Sequence, residues 1–255
     1  MQELEHMRER GSRSVSLLLE QFHNTFTTMR LPLILILALS VLLTACRKEE
    51  SDNLPADTSI YQDYKVIFDK PENRTRAFAT FRKSNSWGTR LQLTGGASIT
   101  FNGNVHNTYT ELDNYFYRWN TTGMVDVDFR FTRSDGAWFV NSISRSDSND
   151  VAVPANIVLS RTNGGLATWI GQPLVQGERM EVWVRQNGSN SSKTMLDVAG
   201  SSAIFIPGTV LSGLNMGTAD LYFNRSRTVG LNEGDNNAGG RRIIEVEARG
   251  SVTIE

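Results

Sequence analysis

The chain has 255 residues, a formal net charge of -1, 39% hydrophobic residues and a single cysteine. So balanced a charge offers no basic footprint for phosphate neutralisation, which sets nucleic acid aside as a partner. One cysteine excludes an internal disulfide framework and any Cys-rich zinc site.

Residues 1–28 mix Glu, Arg and His, unlike the n-region of an export signal, and read as an extension upstream of a start at Met29. Residues 29–45 read as a signal peptide. The apolar run Leu31–Ala45 is shorter than the roughly 20 residues a spanning helix needs and matches a signal h-region. It ends in Leu43-Thr44-Ala45-Cys46, which resembles the lipobox of bacterial lipoproteins. The resemblance implies cleavage before Cys46 and lipidation of its thiol, with the acyl chains as the membrane anchor. Arg47-Lys48-Glu49-Glu50 resembles the lipoprotein export signal of Bacteroidota, a Lys followed by two acidic residues. That resemblance implies that Lys48, Glu49 and Glu50 direct the protein to the outer face of the outer membrane. A charged, solvated tether would carry the same residue types. Residues 46–60 read as a flexible tether, too poor in apolar residues to fold alone.

From Tyr61 the chain is rich in Thr, Ser, Asn, Gly, Val and aromatics and alternates apolar and polar residues over short runs, which predicts half-buried antiparallel strands. DYKVIFD, RAFATFRK, TRLQL, ASITF, NYFYRW, MVDVDFRF and AWFVNSIS are the candidates in the first half. Thr94-Gly95-Gly96, Asn102-Gly103 and Ser134-Asp135-Gly136 supply the positive φ of tight turns between them.

Three blocks recur in the same order. Arg76-AFATF-Arg82 aligns with Arg179-MEVWV-Arg185, LQLTGGASITFNG from Leu91 with LDVAGSSAIFIPG from Leu196, and Gly123-MVDVDF with Gly217-TADLYF. This predicts a tandem duplication with a boundary in the polar stretch 145–156, giving one unit over 61–150 and a second over 155–255. The fold expected is all-β: two tandem immunoglobulin-like, Greek-key β-sandwiches, with a jelly roll giving much the same pattern.

Candidate chemistry is sparse. His106 is the only histidine after the signal and sits beside a turn, where a locally bonded histidine is the ordinary expectation. Asp126 and Asp128 share one strand face, where a carboxylate pair can serve glycoside hydrolysis or hold calcium, but cross-strand pairing on a solvent face is the ordinary expectation for them. Tyr115, Tyr117 and Trp119 read as the core side of their strand, with Phe116 on the other face as a possible contact. Trp87 lies in the loop SNSWGT and is the leading candidate for a ligand contact. Glu233 and Asp235, in the glycine-rich loop LNEGDNNAGGRR, are weak calcium candidates whose spacing does not match an EF-hand. No catalytic residue, metal or cofactor is expected. The reading is a lipid-anchored, non-enzymatic surface protein whose two modules recognise a glycan or a protein. The alternatives are a structural or accessory subunit of an outer-membrane assembly or surface fibre and, further off, a glycan hydrolase.

Overall fold

The computed structural model of the chain describes residues 49–106, 108–111 and 114–255, with the backbone alone for 108–111 and 114–116. Cys46 and Lys48 lie outside the described residues. Period-two alternation builds strands with one buried face. In β2 (Ile60–Asp69) Tyr64, Val66 and Phe68 point inward, and in β3 (Arg74–Lys83) Ala77, Ala79 and Phe81 do. The short β1 (Glu49–Glu50) precedes them. The first half continues through β4 (Leu91–Gln92), β5 (Ser98–Phe101), β6 (Asn104–Val105), β7 (Thr108–Glu111), β8 (Asn114–Thr122), β9 (Val127–Thr132) and β10 (Trp138–Ile143). The second half contains β11 (Ile157–Leu159), β12 (Gly165–Thr168), β13 (Glu178–Gln186), β14 (Ser189–Asn190), β15 (Thr194–Leu196), β16 (Ala203–Ile206), β17 (Gly217–Val229) and β18 (Gly240–Ile254). The expected turns hold their conformation: Asn102 and Gly103 have φ of 48° and 80° between β5 and β6, and Gly95, Gly96 and Gly136 are also positive.

The chain is an all-β sandwich, as the patterning predicts. One ten-stranded sheet follows the order β14-β13-β17-β18-β2-β3-β8-β7, with β11 beside β18 and β15 beside β13. The four-stranded sheet β10-β9-β5-β6 packs on its first half, bringing Phe129 to 4.6 Å from Tyr64 and Phe131 to 4.4 Å from Phe81, ring centre to ring centre. Over the second half lies the pair β12–β16, with Trp169 edge-on to Phe223 of β17. The halves expected over 61–150 and 155–255 share this large sheet, because β18 pairs in parallel with β2, Gly240–Glu247 against Gln62–Asp69. Their apolar side chains form one continuous cluster.

Two expected linkers are folded. Within 145–156, Lys70 Nζ donates to Asp150 Oδ1 and to the Val151 carbonyl, both at 2.9 Å, and Val151 is buried. The expected tether 46–60 packs down from Glu49 onward. There β1 runs parallel to β4, and buried Ser51 accepts the Thr94 N–H at 2.9 Å. Both segments are polar, so composition suggested linkers, but their polar groups meet partners far away in the chain.

The three repeated blocks separate in space. Arg76–Arg82 and Arg179–Arg185 lie in β3 and β13 of the large sheet, and the second block leads into β5 and β16 of the smaller sheets. The third block parts company: Gly123–Phe129 runs into β9, opposite the large sheet, whereas Gly217–Phe223 lies in β17, within it. By its pairing to β13, β17 corresponds to β8, which pairs with β3 in the same sense. Alternation marks a buried face without naming the sheet that owns it.

The second half closes around a charge. Arg225 points inward from β17 and is fully buried, as is the Glu178 side chain with which it pairs. Its remaining guanidinium hydrogens go to the carbonyls of Gln172, at 2.7 Å, Pro173, at 2.9 Å, and Asp150, at 3.4 Å. Burial pushes the Glu178 carboxyl pKa up, but the bond from Arg225 and the Val175 N–H outweigh it and hold the value below the ordinary one. Removing one partner of such a pair leaves an uncompensated buried charge. Glu178→Gln is expected to lower unfolding free energy by about 3–5 kcal/mol at neutral pH. A depressed carboxyl stabilises above its unfolded pKa and loses that contribution as pH falls through the folded one. The gap between parent and variant in urea melts therefore narrows under acid.

Candidate binding site

Among the described residues, the outward side chains of three central strands line a groove. Asp63, Lys65 and Ile67 of β2 stand between Phe78, Thr80 and Arg82 of β3 and Arg241 and Ile243 of β18. With Arg90 they line a groove of about 330 Å³. Ile67, Phe78 and Ile243 make the apolar part of the floor. Four cations and one carboxylate surround it.

These charges are not equivalent. Asp63 accepts from Arg241 through both oxygens, at 2.9 and 3.2 Å, and that bond raises the Arg241 pKa further. Lys65 Nζ lies 2.6 Å from Glu245 Oε1. Arg82 forms no ion pair among the described residues, and its one hydrogen bond, to the Gly88 carbonyl, is long at 3.4 Å.

Arg82 and Arg90 bracket the loop that carries Trp87 and are themselves bridged as antiparallel partners. The loop is tightly built: Lys83 N–H donates to the Thr89 carbonyl, Gly88 N–H to that of Asn85, and Trp87 N–H to Asn85 Oδ1, all within 3.0 Å. Ser84 adopts φ of 62°, and a Cβ on Gly88 would lie 1.7 Å from the Lys83 carbonyl oxygen. On this fixed platform Trp87 is 93% exposed. An indole left in water at that cost in unburied apolar area contributes nothing to the core.

The other expected residues serve the fold. Asp126 accepts from Ser144 Oγ and the Arg145 N–H, and Asp128 from Ser142 Oγ at 2.6 Å, so both carboxylates tie β9 to β10 and the turn after it. His106 sits edge-on to Phe101 and Trp119. Tyr117 is buried and its hydroxyl accepts the Leu93 N–H at 2.7 Å, the core role expected of that face. Phe116 lies opposite Tyr109 in the β7–β8 ladder, and its side chain is outside the described residues. Glu49 contacts Lys83 Nζ at 2.8 Å and Glu50 is exposed beside it in β1.

The calcium candidates are corrected. Asp235 is buried, takes Arg133 Nη1 on both oxygens at 2.7 and 3.0 Å, and accepts the Ile60 N–H at 2.8 Å. Glu233 Oε2 accepts the Val140 N–H at 2.7 Å, and Asn232 Oδ1 that of Ser142. The loop therefore caps the open edge of β10, with its oxygens already satisfied by protein donors. Among the described residues no group of three or more His, Cys, Asp or Glu could hold a metal ion, and no helix is long and apolar enough to cross a membrane.

The groove escaped the sequence reading because both faces of RAFATFRK carry an aromatic. Ala77-Ala79-Phe81 is buried and Phe78-Thr80-Arg82 is outward, a choice the alternation alone leaves open. A second outward feature, Trp183 stacked on Tyr222 at 5.0 Å, has its indole face covered by Lys193 at 4.9 Å and reads as a cross-strand packing pair.

No protein-family model matches the chain, and no curated protein matches it. Among solved structures, the tetra-tandem repeat in the extending region of a large adhesion protein is similar at 13% identity and a TM-score of 0.28, covering 76% of this chain and 50% of that one. A structure of a 1.5-MDa bacterial ice-binding adhesin concerned with host cell surface retention is similar at 14% identity and 0.21, covering 79% and 66%. The Bacteroides ovatus mixed-linkage glucan utilization locus protein SGBP-B, in complex with a mixed-linkage heptasaccharide, is similar at 9% and 0.19, covering 83% and 66%. This chain thus spans half of the first protein's length and 66% of each of the others. At such identities and scores the reading rests on this chain's own side chains.

Asp235→Asn is expected to destabilise the protein by about 3 kcal/mol, since it removes the buried counter-charge of Arg133 and leaves only the exposed Asp135 at 3.3 Å. Millimolar calcium or a chelator should leave the parent melting temperature where it is. A calcium-dependent rise in calorimetry would restore the metal reading.

Proposed function

We propose that this chain is a non-enzymatic binding protein displayed on the outer face of the outer membrane, anchored through lipidated Cys46 with Lys48, Glu49 and Glu50 as export signal, and recognising a surface glycan. The observation that carries the recognition is Trp87, almost wholly exposed on a hydrogen-bonded loop whose flanking Arg82 and Arg90 line a ligand-sized groove. A rigid, solvent-facing indole beside a concavity suits stacking on the apolar face of a sugar ring, and a fixed loop orders little on binding. The groove lies at the small end of the ligand-cleft range. Its walls are side chains of paired strands, a platform for holding a ligand. The carboxylates that hydrolysis would recruit, Asp126 and Asp128, are engaged elsewhere in the fold.

A second reading, a subunit of an outer-membrane assembly, draws on the cross-strand pair Leu166 and Phe205, which is 65% and 52% exposed on the outer side of β12–β16. Capture of one fixed set of membrane proteins after crosslinking would favour it over glycan binding.

The test is a glycan array followed by titration of the best hits. Trp87→Ala is expected to weaken binding about tenfold or more, the effect of losing a central aromatic contact, with an unchanged melting temperature because the indole packs on nothing. Retained affinity would remove the reading. On the cell, Cys46→Ala is expected to abolish incorporation of a labelled lipid precursor, and external protease to digest the parent protein on intact cells.

A further inference from the structure

Building on the glycan-binding reading, we propose that the groove is specific for an anionic saccharide, a ring bearing a carboxylate or a sulfate ester, whose charge is held by Arg82 while the ring lies against Phe78 and Trp87. Lys65 and Arg241 are neutralised within the protein by Glu245 and Asp63. Arg82, next to the same apolar floor, has no ion pair among the described residues and only a long bond to a carbonyl. A guanidinium left without a counter-charge presents a planar fork that matches carboxylate or sulfate oxygens in a bidentate fashion. Charge complementarity therefore selects an anion.

The strand pairing selects the kind of molecule. β2 is laddered on both sides from Gln62 to Asp69, and β3 is laddered on its far side to β8 from Arg74 to Ala79, beyond which Arg82 is bridged to Arg90 and the Lys83 N–H donates to the Thr89 carbonyl. The Trp87 loop thus occupies the stretch of β3 beside Arg82 that β8 leaves unpaired, which disfavours recognition of an extended peptide by strand addition. What remains is a shallow surface of side chains: an apolar floor of Ile67, Ile243 and the ring of Phe78, whose centre lies 5.8 Å from the Arg118 guanidinium, and a cation at its rim. A cyclic, hydroxylated, negatively charged unit satisfies both.

The decisive experiment is calorimetric titration of the full-length chain with trigalacturonate, a sulfated disaccharide, a neutral glucotriose and sodium sulfate alone. At least one anionic sugar is expected to bind about tenfold or more tightly than the neutral one, as a charge-assisted hydrogen bond provides, and to weaken with added salt. Which of the two does so identifies carboxylate or sulfate as the source of the charge. Arg82→Gln should erase that preference, and Arg82→Lys should keep part of it. Equal binding of neutral and anionic sugars, both lost in Trp87→Ala, overturns the anionic assignment but leaves glycan binding standing. Sodium sulfate binding as tightly as the sugars, or an anionic preference untouched by Arg82→Gln in a protein of unchanged melting temperature, also overturns it. Absence of any sugar binding here and on the array removes both.

Discussion

The parallel ladder between β18 and β2 is the constraint on which the remaining structure depends. Eight residue pairs, from Gly240 with Gln62 to Glu247 with Asp69, join strands from opposite ends of the folded chain. β18 also pairs along thirteen residues with β17 and holds β11 at its far end. Without that seam each half would present an open sheet edge and part of its apolar face to water, a template for aggregation. Pairing over such a separation closes a long loop before any contact offsets its entropy, so it belongs to the slow end of folding topologies.

Buried polar groups reinforce the seam. Asp235, in the loop before β18, joins Arg133, in the turn between β9 and β10, to the backbone of Ile60 at the start of β2. Asn141 of β10 accepts from the Asn232 N–H and donates to the Glu233 carbonyl. Gln62, itself buried, accepts the Tyr64 hydroxyl hydrogen at 2.8 Å. Each of these groups would be costly to bury alone, and the network pairs most of their polar atoms, leaving Gln62 Nε2 and Arg133 Nε without a hydrogen-bond partner. Arg225 and Glu178 do the same for the second half, where the guanidinium fixes the carbonyls of the loop before β13. These charges specify one arrangement of loops over a core that apolar packing alone would leave less defined.

The same constraint leaves one surface free for recognition. With β2 paired on both sides over Gln62–Asp69 and the edge of β10 capped by Glu233 and Asn232, the backbone of these elements offers little to a ligand. The outward face of β18, β2 and β3 carries the chemistry instead. Its charges are largely matched in place: Arg76 contacts Glu247 at 2.6 Å and Asp69 at 3.4 Å, and Lys65 contacts Glu245. Burial, with help from Asp69 and Glu245, lifts the Glu247 pKa even against the pull of Arg76. Arg82 and Trp87 stand out from this balance at one end of the face.

The sequence by itself determined the strands, their turns and the all-β class. DYKVIFD, RAFATFRK, ASITF and AWFVNSIS fall in β2, β3, β5 and β10, and the Asn-Gly pair at 102–103 makes its hairpin, because alternation and backbone φ are local properties of adjacent residues. It also singled out Trp87 as a loop aromatic without a core to enter. Tertiary structure alone decided that β18 would lie beside β2, that the third repeated block would run through different sheets, that the polar stretches after Glu49 and around Asp150 would be folded, and that Asp235 would meet Arg133 instead of a metal. The groove belongs to the same class. Its residues come from two hairpinned strands and a third some 180 positions away, and a period of two says which residues share a face but never which faces share a neighbour.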